Sequence, residues 1–154
     1  MTPSRTRRRA CACQKGSAVV EFAVVLPVLV VVLMGTIDFA RVMYWAMALT
    51  NAARAGVQYG ALSLANSADT AGIQTAAQNS AASDLPGGIA APIVARTCSC
   101  NGGAATAGVC SASCTNPLRV FVSVTTTKTF TTAMHYPGVP SSLALSRTVM
   151  MRAQ

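Results

Sequence analysis

An uncharged run of apolar residues near the N-terminus constrains this chain most. From Phe22 to Ile37 there is no charged side chain, and valine, leucine and isoleucine predominate. With the apolar residues on either side, the run exceeds the roughly 20 residues that a helix needs to cross a bilayer. A cleavable secretory signal has a shorter apolar core that ends in a small-residue cleavage site. The sequence therefore predicts a retained, single membrane-spanning helix.

Basic residues are concentrated just before this run. Five of the 12 lysines and arginines lie within the first 15 positions, at Arg5, Arg7, Arg8, Arg9 and Lys15. Basic flanks of a membrane span stay on the cytoplasmic side, so we expect a cytoplasmic N-terminus and an extracytoplasmic C-terminal part. The net charge of +8 could suggest a nucleic-acid-binding protein. However, the remaining basic residues form no cluster, so the surface that nucleic acids require is absent.

The helical pattern continues beyond the apolar run without a proline to about Leu64. Asp38 and Arg41 are three residues apart and therefore neighbours on one helical face. They predict either a weak interfacial ion pair or a contact with a partner protein. Tyr44 and Trp45 fall where an aromatic belt would meet the outer membrane interface. The outer half of so long a helix must pack against other elements to be stable.

The C-terminal part has the pattern of a small mixed domain. A second helix is expected from Thr70 to Ser83, with Asp69 as its N-cap. Residues 91–97 are compatible with a strand, and the alternating valines within residues 118–132 predict another. Residues 143–152 are expected to close an antiparallel sheet. The predicted fold class is α+β, with a long N-terminal transmembrane helix, a second helix and a short antiparallel sheet.

Four cysteines lie within the loop predicted over residues 98–117: Cys98, Cys100, Cys110 and Cys114. On an oxidising side of the membrane, four closely spaced cysteines indicate two disulfides. A bond across one intervening residue is strained, which leaves 98–110 with 100–114, or 98–114 with 100–110. Zinc ligation by four thiolates is the alternative, but no Cys-x2-Cys pair is present. We expect no metal and no cofactor.

The sequence offers no catalytic constellation. His135 is the single histidine and lies next to a Tyr-Pro-Gly turn. Neither a Gly-x-Ser-x-Gly motif nor a phosphate-binding glycine loop occurs. We therefore expect a structural protein with no catalytic residues and no small-molecule substrate.

The stretch from Gly16 to Tyr59 resembles the TadE-like pseudopilins of tight-adherence (Tad) pilus systems. The elements that carry the resemblance are Gly16, Glu21-Phe22-Ala23, Leu26-Pro27, Gly35, Asp38-Phe39-Ala40-Arg41 and Asn51-Ala52-Ala53-Arg54-Ala55-Gly56. The C-terminal part is only loosely similar to the family.

The resemblance implies a minor pilin that supports pilus assembly, adhesion and biofilm formation. It implies cleavage by a prepilin peptidase after Gly16, which leaves Ser17 as the new N-terminus. The chain would then comprise a cleaved leader over residues 1–16, a helix over 17–64 and a periplasmic domain over 65–154. The implied partners are the prepilin peptidase, sister pseudopilins, platform proteins and inner-membrane lipid.

Three residues acquire roles in this scheme. Gly16 has no side chain, so the peptide can enter a tight proteolytic groove in an extended form. Glu21 lies one turn from Ser17, and its carboxylate could pair with the new α-amine of its own or an adjacent subunit. The alternative is an interfacial glutamate whose side chain extends to water. Pro27 is either an incidental kink or a point where the helix locally melts during packing.

Two other functional classes remain open. A membrane-anchored extracytoplasmic binding or adhesion protein without a filament role would not need Gly16 or Glu21. An enzyme or metal carrier that uses the four cysteines would need free thiols.

Overall fold

The computed structural model describes residues 16–100, 106–107, 110, 118–133, 138 and 140–153. Its helices are α1 (Ser17–Ala61) and α2 (Thr70–Asp84), with a short 3-10 helix (Asn66–Ala68) between them. Its strands are β1 (Ile93–Ser99), β2 (Thr106–Ala107), β3 (Arg119–Thr131) and β4 (Ser142–Arg152). The predicted α+β fold is confirmed. The chain divides after Ile37 into two compact units.

The first unit contains the apolar part of α1. Its large apolar side chains are exposed all around the helix, from Val19 to Leu33. A helix that is apolar on every face requires a nonaqueous environment. Among the described residues, α1 is the one helix that is long and apolar enough to cross a membrane. This finding is consistent with membrane anchoring.

The second helix begins beyond a tight connection. α1 ends at Ala61, three residues before the predicted end, because the chain turns there. The N–H of Leu62 donates to the carbonyl of Tyr59, and the side-chain amide of Asn66 donates to the same carbonyl at 3.3 Å. These bonds satisfy an acceptor that a helix terminus would otherwise leave unpaired.

Asp69 forms the predicted N-cap of α2. One carboxylate oxygen accepts a hydrogen bond from the N–H of Gly72 at 2.9 Å, and the other accepts from the Tyr59 hydroxyl at 2.9 Å. The cap therefore also connects the last turns of α1 to the start of α2. The bond from Gly72, followed by that from Tyr59, lowers the pKa of Asp69 below its ordinary value of 3.8.

We expect the stabilising contribution of Asp69 to disappear in acid. A carboxyl whose pKa is lowered by folding contributes stability above its unfolded pKa, near pH 4, and loses that contribution as the pH falls through the folded pKa. Thermal unfolding of the full chain in detergent, followed by circular dichroism at pH values above and below about 4, measures this loss of stability. Asp69→Asn keeps a capping oxygen but cannot ionise, so its acid-side slope should be shallower. Equal slopes would contradict the prediction.

The sheet is antiparallel, with strand order β2-β1-β3-β4. Val124 on β3 is paired with Val94 on β1 and with Val149 on β4. The predicted alternation on β3 is confirmed, since Val120, Val122 and Val124 are buried while the residues between them are half-buried. The three long strands match the predicted ones to within about two residues at each end, and β2 is only two residues long.

The core of the second unit lies between one face of the sheet and both helices. Fully buried contributors come from α1, α2 and β3: Leu49, Ala52, Ala53, Val57, Ile73, Ala77, Ala81, Val122 and Val124. Small residues at the helix contacts permit a close approach. A Cβ added at Gly56 would lie 3.1 Å from the Cβ of Ala77, and one at Gly60 would lie 2.9 Å from Cδ1 of Ile73. The two glycines are one turn apart and therefore share this face.

Candidate functional site

The first candidate site is the start of α1. Gly16 directly precedes the helix and is exposed, and a Cβ built there would meet no atom within 4 Å. Ser17 begins the helix, and the exposed Glu21 follows one turn later. Gly16 itself is therefore accessible among the described residues. Cleavage after Gly16 and the assembly role of Glu21 stay predictions.

Pro27 lies inside α1, which continues through it. Proline has no N–H to donate to the carbonyl of Ala23, so one helical hydrogen bond is missing at this position. Its side chain is exposed, as are those of its neighbours in the apolar run. Its role in assembly stays a prediction.

Asp38 lies at the start of the second unit, where its carboxylate makes two kinds of contact. Nη1 of Arg41 donates to Oδ1 of Asp38 at 3.0 Å, so the predicted ion pair is present, and an assembly contact of these two residues with a partner protein stays a prediction. The backbone N–H of Ala133, just after β3, donates to both carboxylate oxygens at 3.2 Å. Asp38 is 7% exposed, whereas an ordinary surface ion pair is solvated on both sides. The carboxylate thus connects α1 to the end of β3.

Two aromatic rings and two cations continue this connection. The guanidinium of Arg41 lies 5.1 Å from the ring centroid of Phe130, and the Trp45 ring meets Phe130 edge-on at 5.2 Å. Nζ of Lys128 lies 5.1 Å from the Trp45 centroid and donates to the carbonyls of Pro86 and Gly88. Such cation–π and edge-on aromatic contacts contribute beyond area burial. We call Asp38, Arg41, Trp45, Lys128 and Phe130 the Asp38 junction.

The junction revises the interpretation of Trp45. Trp45 packs against Phe130 and Lys128 instead of standing free as part of an aromatic belt, whereas Tyr44 remains 50% exposed. Phe130 and Lys128 carry no local sequence signal for this role, because their partners on α1 are distant in the chain. The spacing of Asp38 and Arg41 was the one part of the junction visible in the sequence.

We expect Asp38→Ala to lower the free energy of unfolding by about 1.5–3 kcal/mol, since hydrogen bonds to charged groups contribute about this much. Arg41 is partly exposed, so most of the loss should come from the unpaired N–H of Ala133. Asp38→Asn retains an acceptor for that N–H and should cost less. Urea unfolding of the full chain in detergent measures both values. An equal loss in the two variants would show that charge, not the bond to Ala133, matters.

The structure resolves part of the cysteine pairing. Cys98 and Cys110 form a disulfide, with Cα atoms 5.1 Å apart. This bond excludes the predicted alternative of 98–114 with 100–110. Cys100 is also disulfide-bonded. Cys114 lies outside the described residues, so the second predicted bond, 100–114, stays a prediction.

Residues 16–58 match the family model of the TadE-like proteins. Over this segment the chain is similar to the TadE-like family. The TadE-like segment starts at Gly16 and contains the apolar run, Asp38, Arg41 and Gly56, and it ends before α2 and the sheet. The match suggests that the chain is associated with a Tad pilus system. No curated protein and no solved structure shows a significant similarity to the chain.

Proposed function

We propose that this chain is a structural minor pseudopilin that a prepilin peptidase cleaves after Gly16 and that supports assembly of a Tad-type pilus for adhesion and biofilm formation. The observation that carries the proposal is the TadE-like match, which begins at Gly16 and follows α1 almost to its end. The partners would be the peptidase, sister pseudopilins and the platform proteins.

Charge and redox chemistry support the proposed placement in the membrane. The basic residues before Gly16 favour a cytoplasmic N-terminus. The apolar part of α1 then spans the inner membrane, and the second unit lies in the periplasm. The Cys98–Cys110 disulfide supports this placement, because disulfides persist in oxidising compartments and are rare in the cytosol.

Cleavage would create a specific electrostatic partner for Glu21. Hydrolysis of the bond between Gly16 and Ser17 releases an α-amine one helical turn from the Glu21 carboxylate. A charge in hydrocarbon is costly unless it is paired. Pairing with the amine of the same or an adjacent subunit would therefore set the register of α1 against its neighbours. Processing thus becomes a condition for correct assembly.

N-terminal sequencing of the protein recovered from membranes tests the proposal. We expect the wild type to begin at Ser17 and Gly16→Leu to keep the leader, because a side chain at this position obstructs entry into the peptidase. Gly35→Leu is the matched control, since Gly35 lies inside α1 with open space around it and is remote from the cleavage site. A wild-type protein that retains its leader would refute processing.

A second variant separates the pseudopilin from an anchored binding protein. Glu21→Gln keeps the size of the side chain but removes its charge. We expect normal cleavage with few or no pili on the cell surface, counted by electron microscopy in a strain that lacks the wild-type copy. Full piliation would favour the alternative in which the chain has no filament role.

A further inference from the structure

β4 is the last strand of the sheet, and one of its two edges is open in the part of the chain that the structure describes. The N–H of Thr132 donates to the carbonyl of Ser141, and the N–H of Ala153 donates to the carbonyl of Val120. Hydrogen-bonded pairs alternate along an antiparallel ladder. The odd-numbered residues of β4 therefore bond to β3, and the even-numbered residues from Ser142 to Arg152 direct their backbone groups outward.

This edge lacks most of the features that protect exposed strands. Its 11 residues pair with β3 in one continuous register without a bulge. The strand contains neither proline nor lysine. Long, regular edges of this kind are templates for pairing with another chain. Two exposed arginines protect it in part. Arg147 lies on the helix-facing side of the strand, and its Nη1 donates to the outward carbonyl of Ser146 at 3.1 Å, whereas Arg152 lies on the opposite face.

Two cavities lie beside the edge, where β4 faces α1. The first, of about 420 Å³, is lined by Met43, Met47, Arg54 and Arg147 among others. Further along, Leu62 and Met151 line a second cavity. The exposed fractions of Met43, Met47, Leu62 and Met151 range from 41% to 70%. We call the surface formed by six residues the β4 groove: Met43, Met47, Arg54, Leu62, Arg147 and Met151.

The charge of the β4 groove is of one sign. Both arginines are exposed, and neither forms an ion pair with another described residue. Among the described residues, no aspartate or glutamate lines either cavity. An occupant with carboxylates facing Arg54 and Arg147, and apolar side chains facing the methionines, would complement this surface.

We propose that the open edge of β4 binds an extended, acidic segment of a different protein, which adds to the sheet as a further strand. Outward N–H and C=O groups of β4 supply the main-chain bonds, and the β4 groove selects alternate side chains of the incoming strand. The proposal goes beyond the proposed function and does not depend on cleavage at Gly16.

A second copy of this chain fits the surface less well. Two β4 strands in fully overlapping antiparallel register would place Arg147 directly opposite Arg147, and like charges so placed are destabilising. The same pairing would bring the Arg54 side chains of both copies to one groove. Charge complementarity therefore favours a partner that carries carboxylates.

The probe is a short fluorescein-labelled peptide that alternates valine and threonine and carries two glutamates, with a twin that carries glutamines. Binding to the full chain in detergent is followed by fluorescence anisotropy. We expect the glutamate peptide to bind more tightly, and added salt to reduce the difference by screening. Arg147→Gln should remove the preference. Equal binding of both peptides to the wild type, or binding of neither, would overturn the proposal.

A backbone variant tests the strand addition itself. Ser146→Pro removes an outward N–H without interrupting the bonds to β3, as proline is tolerated at a free strand edge. It should weaken peptide binding about tenfold, whereas Ser146→Ala should not. Circular dichroism checks that the proline variant is folded, and a peptide methylated on alternate amides gives an independent test. Unchanged affinity for the proline variant and for the methylated peptide would refute the strand addition. A wild-type dimer that Ser146→Pro dissociates would show that the partner is a second copy, and would refute the proposed acidic segment.

Discussion

Phe130→Ala is expected to lower the free energy of unfolding by about 3–5 kcal/mol, the usual cost of truncating a buried aromatic side chain. Phe130 is 1% exposed at the end of β3 and belongs to a core cluster with Leu49, Leu85 and Leu145. Its ring also contacts Trp45 and the Arg41 guanidinium. Truncation would remove the contacts on all sides and leave a cavity between α1 and the sheet.

The variant has a control on the same strand. Phe121 is half-buried on the opposite face of β3, so Phe121→Ala should cost much less. Urea unfolding of the full chain in detergent measures both. Trp45 is the single tryptophan of the sequence, so its fluorescence reports directly on the Asp38 junction. A loss no greater for Phe130→Ala than for Phe121→Ala would show that the ring does not join α1 to the sheet.

Removal of the Cys98–Cys110 disulfide should cost about 2–4 kcal/mol. The two cysteines are 12 residues apart, so the bond restricts the unfolded chain over a loop of moderate length. Cys98 is also 1% exposed and packs with Val120 and Ala153. The bond therefore holds the start of the cysteine-rich segment to the edge of the core.

The double variant Cys98→Ser with Cys110→Ser measures this effect by thermal unfolding under nonreducing conditions. Cys100→Ser with Cys114→Ser is the companion variant and tests the second predicted bond separately. Peptide mapping of the wild type without reductant should recover Cys98 linked to Cys110. A linkage of Cys98 to Cys114 would contradict the pairing and leave the stability loss without its cause.

Regular elements of this protein were predictable because their signals are local. An apolar run identifies α1 as a candidate span from consecutive residues alone, and alternating valines identify β3. The N-cap at Asp69 required only its position before a helical pattern. The motif around Gly16 and Glu21 was visible for the same reason, although the roles of these two residues stay predictions. The spacing of Asp38 and Arg41 is likewise a local signal.

The close approach of α1 and α2 was predictable from the sequence only in part. Gly56 and Gly60 lie one turn apart, and this spacing could have indicated a helix face that another element approaches closely. The sequence did not reveal that Ile73 and Ala77 are the neighbours. A glycine on a helix face marks a position that another element approaches closely. Which residues approach it depends on the path of the chain.

The sequence by itself determined an apolar helix long enough to span a membrane, followed by an α+β unit with disulfides. The tertiary structure decided the strand order, the pairing of Cys98 with Cys110, the bond between Asp38 and Ala133 and the open edge of β4. The physical reason is that periodicity and capping depend on neighbours along the chain. Contacts between distant residues depend on how all the elements share one core, and many pairings compatible with the same local patterns compete until packing selects one.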